Sequence, residues 1–337
     1  MMATASKAAT VVDAKTIDET LATSLLPSRE LNAHKWSVGG VIVVGGSPGY
    51  VGAPAMAALS ANRSGAGVVA VACPRGSIAA IAAIVPEATF ISLPEGDVSR
   101  QTAEKFRVRF DKVRALVVGP GLGDDEYADS VMQILYGAKE SPVYSPFGFS
   151  AKVSKPAPAT SAEESALGRE KPAVIDADGL NWLAKTDEWW SLLVPRTVVL
   201  TPHAGEMARL TGLETSEITS DPIGIAQRFA EKWQQTVVLK GEPTVVSNGE
   251  VTRVAASIEP ALATAGSGDV LAGSIGAFLA QGLDPIDAAT LAIYTGTAAA
   301  RTLTDTLGTL GVIATDLPLA IAGELARLEQ SKGGKRA

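Results

Sequence analysis

The sequence predicts a three-layer α/β/α fold around a mostly parallel central sheet. Three observations carry that expectation. Short β-branched runs recur along the chain with Ala-rich helical stretches between them. The runs are almost continuously apolar rather than alternating, as strands covered on both faces must be. Glycine or polar residues then follow one run after another. With 46% hydrophobic and 19% charged residues in 337, there is ample material for a sizeable core.

The first strand is expected at 41–44 (VIVV), with a helix at 53–63 behind it. Strands follow at 68–72 (VVAVA), 115–118 (ALVV) and 173–176 (AVID), the last leading into a helix at 179–185. Two TVVL runs, 197–200 and 236–239, make further strands, separated by helices at 205–211 and 222–233. TVVS and VTRVA flank Asn248-Gly249, a hairpin signal. Helices at 268–281 and 285–303 complete the set. Residues 137–171 are rich in Pro, Ser, Ala and Lys and keep no period. Structureless connections beyond ~12–15 residues are uncommon in compact domains. This one joins a helix to the start of a strand, so it is expected on the face away from the chemistry, as a disordered segment or a subunit contact. The chain divides into an extension (1–30), one domain (31–330) and a short tail (331–337).

Charge and composition exclude several classes. A net charge of −7 argues against nucleic acid or an anionic membrane as the main partner. Any phosphate would have to be held locally, by backbone amides and a few placed cations. Cys73 is the single cysteine, so no internal disulfide forms, and with only His34 and His203 a thiolate/imidazole zinc site is not expected. No stretch reaches the ~18 uninterrupted apolar residues that suggest a membrane span. The N-terminus has a polar, interrupted middle unlike a signal peptide. A soluble cytoplasmic protein is the expectation.

Five strand ends carry unusual turns, and in a parallel sheet they share one edge. GGSPGYVGAP follows the first strand, with Pro54 read at the first helical position; it is either a long βα turn or a glycine wall admitting a flat ligand. GPGLG is either a stiff turn or a row of pocket amides. In DADGLN, Asp178 is most simply a helix N-cap. TPHAGE puts His203 on the edge with Glu206 three residues on, which favours function; His34 is read as structural. Lys240 ends the second TVVL beside Gly241, where it would attract a phosphate.

The most specific signal is ATAGSGDVLAGSIGAFLAQG, residues 263–282. Glycine inside a helix costs roughly 1 kcal/mol against alanine, so this helix opens poorly. Free N–H groups at a helix start, together with the positive end of its dipole, bind anions. The small residues at 265–268 would let a phosphate reach those amides. Asp269 beside a phosphate is electrostatically misplaced unless it takes a proton from a hydroxyl attacking the phosphoryl group. The structural alternative is an Asp-stabilised helix start with incidental glycines.

GSGD opening an Ala/Gly-rich helix resembles the anion hole and catalytic aspartate of the ribokinase-like superfamily. Together with residues 34–74, VVGPGLG, VIDADGLNWLA and TPHAGEMARLTG, it is similar to the NAD(P)H-hydrate dehydratase family over about 31–330. That resemblance implies a stand-alone hydro-lyase repairing NADHX or NADPHX, S epimer, with ADP or ATP as co-substrate and Mg2+. A phosphoryl group passed to the C6 hydroxyl turns a poor leaving group into a good one. By position, Ala53, Gly121, Gly123 and His203 would contact the hydrated dinucleotide. Lys240, Gly241, Glu242, Pro243 and Thr244, with Gly266, Ser267 and Gly268, would hold the adenine nucleotide. Asp269 would be the base, and Glu206 would act on magnesium through a bound water. The family's first glycine of Gly-Gly-[Thr/Ser]-Gly-Asp is Ala265 here, and Trp36 replaces a smaller residue. The resemblance also implies a homo-oligomer and a separate epimerase. The alternatives are a vitamin or sugar kinase of the same superfamily, which would need neither His203 nor the GYVGAP turn, and a nucleotide sensor, which could lose Asp269 without penalty.

Overall fold

In the computed structural model, residues 14–95, 107–137 and 167–333 are described. They form a ten-stranded sheet from β1 (Ala14–Ile17), β2 (Gly40–Val44), β3 (Val68–Pro74), β4 (Thr89–Leu93), β5 (Ala115–Val118), β6 (Ala173–Ile175), β7 (Val198–Leu200), β8 (Thr236–Leu239), β9 (Val245–Ser247) and β10 (Thr252–Ala255). The order is β1-β10-β9-β8-β7-β6-β5-β2-β3-β4. Only the β8–β9 and β9–β10 pairings are antiparallel; the others are parallel. The β9–β10 pair is the expected hairpin, turning through 248–251 with Gly249 at φ +90°.

Both sheet faces are buried, which gives the three layers. Along β2, Val41 and Val43 face one core and Ile42 and Val44 the other. The first core is shared with helices Gly52–Arg63, Ser267–Ala280 and Pro285–Gly311. The second is shared with Glu126–Tyr136, Asp178–Leu183, Ala204–Thr211 and Pro222–Trp233. The weak propensity of Ser267–Ala280 has a packing cause as well. A Cβ on Gly273 would come 2.1 Å from the Ala57 carbonyl oxygen, so this helix lies backbone-to-backbone on Gly52–Arg63.

The six apolar runs all form strands, within two residues of the expected ends. The two strands not anticipated, β1 and β4, are the two edges of the sheet. An edge strand covers less apolar surface: AKTI and TFISL mix exposed and buried positions, so they lack the continuous apolar signature. Helices Glu19–Leu25, Ile78–Ile84 and Leu317–Gly333 were also not anticipated, and the helix implied before residue 137 is Glu126–Tyr136. The helix expected at 285–303 continues to Leu307 and is then broken at Gly308 (φ 69°, ψ 166°) before a last turn ending at Gly311. Pro54 is the third residue of its helix, not the first, a place proline tolerates because the amides of the first turn have no intrahelical partner. No helix among the described residues is long and apolar enough to cross a membrane. The expectation for 137–171 lies for the most part outside the described residues, at 138–166. Its described ends adjoin each other, since the Leu167 and Gly168 amides donate to the Ile134 and Leu135 carbonyls.

Candidate active site

The five strands with unusual turns, β2, β5, β6, β7 and β8, are consecutive neighbours in the sheet. Their carboxyl ends therefore form one continuous edge, where open α/β sheets bind ligands. The ladder continues past the strands: amides of Gly119, Asp176, Thr201 and Lys240 donate to carbonyls of Val44, Val118, Ile175 and Pro202.

On the β2–β5 side the site is made of glycine and small residues. Gly46 donates to the Pro120 carbonyl at 3.0 Å. Gly121 has φ +63°, and a Cβ there would meet the Tyr50 carbonyl at 2.6 Å and the Ala53 methyl at 3.2 Å. Ala53 and Gly121 are thus brought together. The Gly123 amide donates to Asp178 Oδ2 at 2.8 Å. This corrects the reading of Asp178 as an N-cap. Ala177 holds the cap position without a side-chain cap, at φ 49°, ψ −119°, and Asp178 is the first helical residue. A positive φ on alanine is strained backbone, and it falls between two carboxylates of the site.

The β6–β8 side is charged. His203 caps helix Ala204–Thr211: its Nδ1 accepts from the Gly205 and Glu206 amides, and Glu206 Oε2 accepts from the His203 amide at 2.8 Å. This is a capping box built with histidine. Because Nδ1 is an acceptor, the neutral ring carries its proton on Nε2, and the side chain is 54% exposed at the edge. Lys240 stands beside His203 across the β7–β8 bridge. Its Nζ lies 2.9 Å from Asp176 Oδ1 and 3.7 Å from Glu206 Oε2. Burial works against that ammonium's charge, yet Asp176 and Glu206 hold its pKa above the ordinary lysine value. Asp176 Oδ1 also accepts from Thr201 Oγ1 at 2.7 Å.

The Ser267–Ala280 helix points its start at this cluster. Gly266, at φ +94°, precedes it, and the Ser267 hydroxyl donates to the Leu262 carbonyl. A Cβ on Gly268 would lie 3.4 Å from Lys240 Nζ and 3.7 Å from Asp176 Oδ2, so the glycine keeps the space before the cation open. Asp269 follows in the first turn. Burial pushes its carboxyl pKa up to about 7, with Asp176 and Asp178 adding to the rise and Lys240 opposing it. A carboxyl poised there accepts protons near neutrality. Non-glycine residues with positive φ among the described residues are Ala177, Glu188, Arg196 and Gln234, so Ala265 needs no left-handed backbone and is compatible with the turn. A cavity of about 280 Å³ opens beside the helix start, lined by Lys240, Gly241, Glu242, Thr244, Ser267 and Gly268; Pro243 and Gly266 are not on its wall.

Sequence reasoning missed Asp176 and Thr201. The only available signal was a carboxylate ending an otherwise apolar strand, and it was absorbed into the strand itself. His34 is structural as read, capping a short helix through Nδ1. Trp36 packs against Gly40 at the start of β2, at the opposite edge of the sheet. No group of three His, Cys, Asp or Glu among the described residues is placed to hold a metal ion. Glu206 faces the His203 amide and Lys240.

A mostly parallel sheet covered by helices on both faces, with a glycine-opened helix and a buried carboxylate at its carboxyl edge, has the ribokinase-like fold. A ribokinase-like superfamily protein from Enterococcus faecalis shares this fold, with a TM-score of 0.75 at 22% identity over 93% of this chain and 96% of its own. The chain belongs to the NAD(P)H-hydrate dehydratase family, whose profile matches residues 41–145 and 148–322. The ADP/ATP-dependent NAD(P)H-hydrate dehydratase of Bacillus subtilis, co-crystallised with ATP/Mg2+, is similar with a TM-score of 0.73 at 25% identity, covering 94% of this chain and 100% of that one. The bifunctional NAD(P)H-hydrate repair enzyme Nnr of Salinibacter ruber is 38% identical over 298 residues, 86% of this chain and 49% of that protein. The chain spans about half the length of the curated relatives it matches.

Proposed function

We infer that the chain catalyses the nucleotide-dependent dehydration of hydrated NAD(P)H, with Asp269 as the base. Asp269 takes the proton from the C6 hydroxyl as that oxygen bonds to the terminal phosphorus of ADP or ATP, and the bridging P–O bond of the nucleotide breaks. Phosphate then leaves C6 with its bonding electrons, assisted by the ring nitrogen, and a proton is lost from C5, restoring the 5,6 double bond. The free amides at the start of Ser267–Ala280 and the Lys240 ammonium would hold the phosphates. Residues 240–244 would run along the nucleotide. Ala53, Gly121 and Gly123 would form the wall for the dihydronicotinamide half, and His203 would offer Nε2–H as a donor. Magnesium, when bound, offsets phosphate charge; it would come with the nucleotide, since magnesium is usually held through substrate phosphates and few protein groups.

The observation that carries this reading is the buried Asp269 carboxyl, raised to about 7, on the first turn of a helix whose second residue, Gly268, leaves Lys240 uncovered. The test supplies NADHX with magnesium and either ADP or ATP and follows the return of dihydronicotinamide absorbance. Recovery with one nucleotide supports the reading and identifies the co-substrate. No recovery with either, together with phosphorylation of a vitamin alcohol or sugar, would assign the same cradle to a kinase.

A further inference from the structure

Asp176 is 2% exposed, and its carboxylate stands at the centre of the charged half of the site. Oδ1 is fixed by Thr201 Oγ1 at 2.7 Å and reaches Lys240 Nζ at 2.9 Å. Oδ2 approaches the open face of Gly268, 3.7 Å from where a Cβ would project, while Lys240 Nζ lies 3.4 Å from the same point. A lysine and two carboxylates thus converge on one helix turn. A lysine paired only with Asp269 would neutralise it and occupy its oxygens. We propose that Asp176 is a positioning residue for the phosphoryl-transfer step: it holds the Lys240 ammonium against the phosphate cradle and away from Asp269, leaving Asp269 free to act as base.

The local backbone fits this role. Ala177, at φ 49°, ψ −119°, turns the chain between Asp176 and Asp178, so that one carboxylate meets Lys240 and the other the Gly123 amide. The charged groups bearing on Asp269 are Asp176 after β6, Asp178 on the following helix and Lys240 after β8. The Gly52–Arg63 helix packed against the start of its own helix brings Met56 to Gly266, not a charge. After burial, Asp176 contributes most to the rise of the Asp269 carboxyl, and Lys240 opposes it. Removing either partner should therefore move Asp269 in opposite directions. A role confined to holding the fold would produce no such pair of shifts.

This inference rests on Asp269 being the base, and the experiment separates the two claims. The acid limb of the kcat–pH profile is measured for the wild type, Asp176→Asn and Lys240→Met, with Asp269→Asn alongside. Asp176→Asn should move the limb to lower pH by about one unit, because a like charge is lost and Lys240 turns to Asp269. Lys240→Met should move it to higher pH by a similar amount. Limbs that stay put, or move the same way, overturn the role of Asp176. If Asp176→Asn does not fold, Lys240→Met alone decides, since an unmoved limb there is enough to reject the inference. Wild-type turnover in Asp269→Asn would instead remove the base, and with it the proposed function.

Discussion

Two hollows among the described residues differ in size, and the larger of the two is not the one beside the proposed phosphate cradle. A cleft of about 1310 Å³ opens at the amino edge, between residues 26–38 and the ends of helices Gly52–Arg63, Ser267–Ala280 and Leu317–Gly333. The cavity at the carboxyl edge measures about 280 Å³. Helix Ser267–Ala280 lines both, with opposite poles: its C-terminal end, Phe278 and Gln281, faces the large cleft, and its N-terminal end the small one. Free carbonyls repel anions, whereas free amides attract them. The cations differ in the same way. Arg29 and Lys332 in the large cleft donate to the carbonyls of Gly65 and Leu26, which ties the chain together. Lys240 in the small one is held by carboxylates beside an open glycine. Size records how loosely the chain packs; helix polarity and the convergence of charge are what single out the small cavity for the proposed chemistry.

The strongest test of this contrast is to substitute on the large cleft and at the helix start beside the small cavity. Asp269→Asn should lower turnover by ~10²–10⁴, the usual range for a general base, while adenine-nucleotide binding persists. Arg29→Ala and Lys332→Ala should leave kcat within about twofold, because the carbonyls they lose can turn to water. Steady-state kinetics with a nucleotide titration would check both, and comparable losses at the two ends would erase the distinction.

A finer contrast lies within three residues. A methyl on Gly268 would sit 3.4 Å from Lys240 Nζ, an ordinary contact, so Gly268→Ala should fold as well as the wild type. It would still intrude on the space for a phosphate, and kcat/KM for the nucleotide should fall about tenfold, roughly 1.4 kcal/mol. Gly266→Ala should do the reverse: φ +94° and Met56 at 2.4 Å from the new methyl make it a stability defect first. Thermal melts beside nucleotide saturation curves would separate the two.

Such differences explain what the sequence did and did not reveal. The central strands were legible because both faces are buried and their residues are apolar throughout; the edge strands β1 and β4 were not, because they are only partly covered. The glycine-opened helix was legible because glycines at a helix opening lower its propensity and stand out against the apolar run that follows. Asp176 was hidden because its partners, Thr201 and Lys240, lie 25 and 64 residues away and meet it only through sheet order. Asp178 was misread because N-capping is the local expectation for aspartate, whereas its oxygen is claimed by Gly123, 55 residues earlier.

The carboxyl edge should also respond to pH. Asp269 carries a carboxyl raised to about 7 from the ordinary value near 4, so the folded state binds its proton more tightly than the unfolded state does. The stability that this gives is complete below about pH 4 and is lost as pH rises to about 7. The Asp269→Asn variant should therefore melt a few degrees above the wild type at pH 8 and at the same temperature near pH 4. Turnover of the wild type should show the opposite trend, rising through the same window as Asp269 ionises. A melting difference that shrinks with rising pH would mean Asp269 is stabilised as the carboxylate, contrary to its burial.

The smallest effect is expected from the largest change. The ends of the 137–171 segment meet at the amino edge, where Leu167 and Gly168 bond to the last turns of helix Glu126–Tyr136. Lys171 then donates to the Val113 carbonyl at 3.0 Å, just before β5 begins. Because those ends already adjoin, deleting 140–164 needs no long bridge, and loop excisions at such points are tolerated. The variant should keep kcat within about twofold and melt close to the wild type. A collapse of kcat with an unchanged melt would mean that the segment reaches round to the carboxyl edge and belongs to the site.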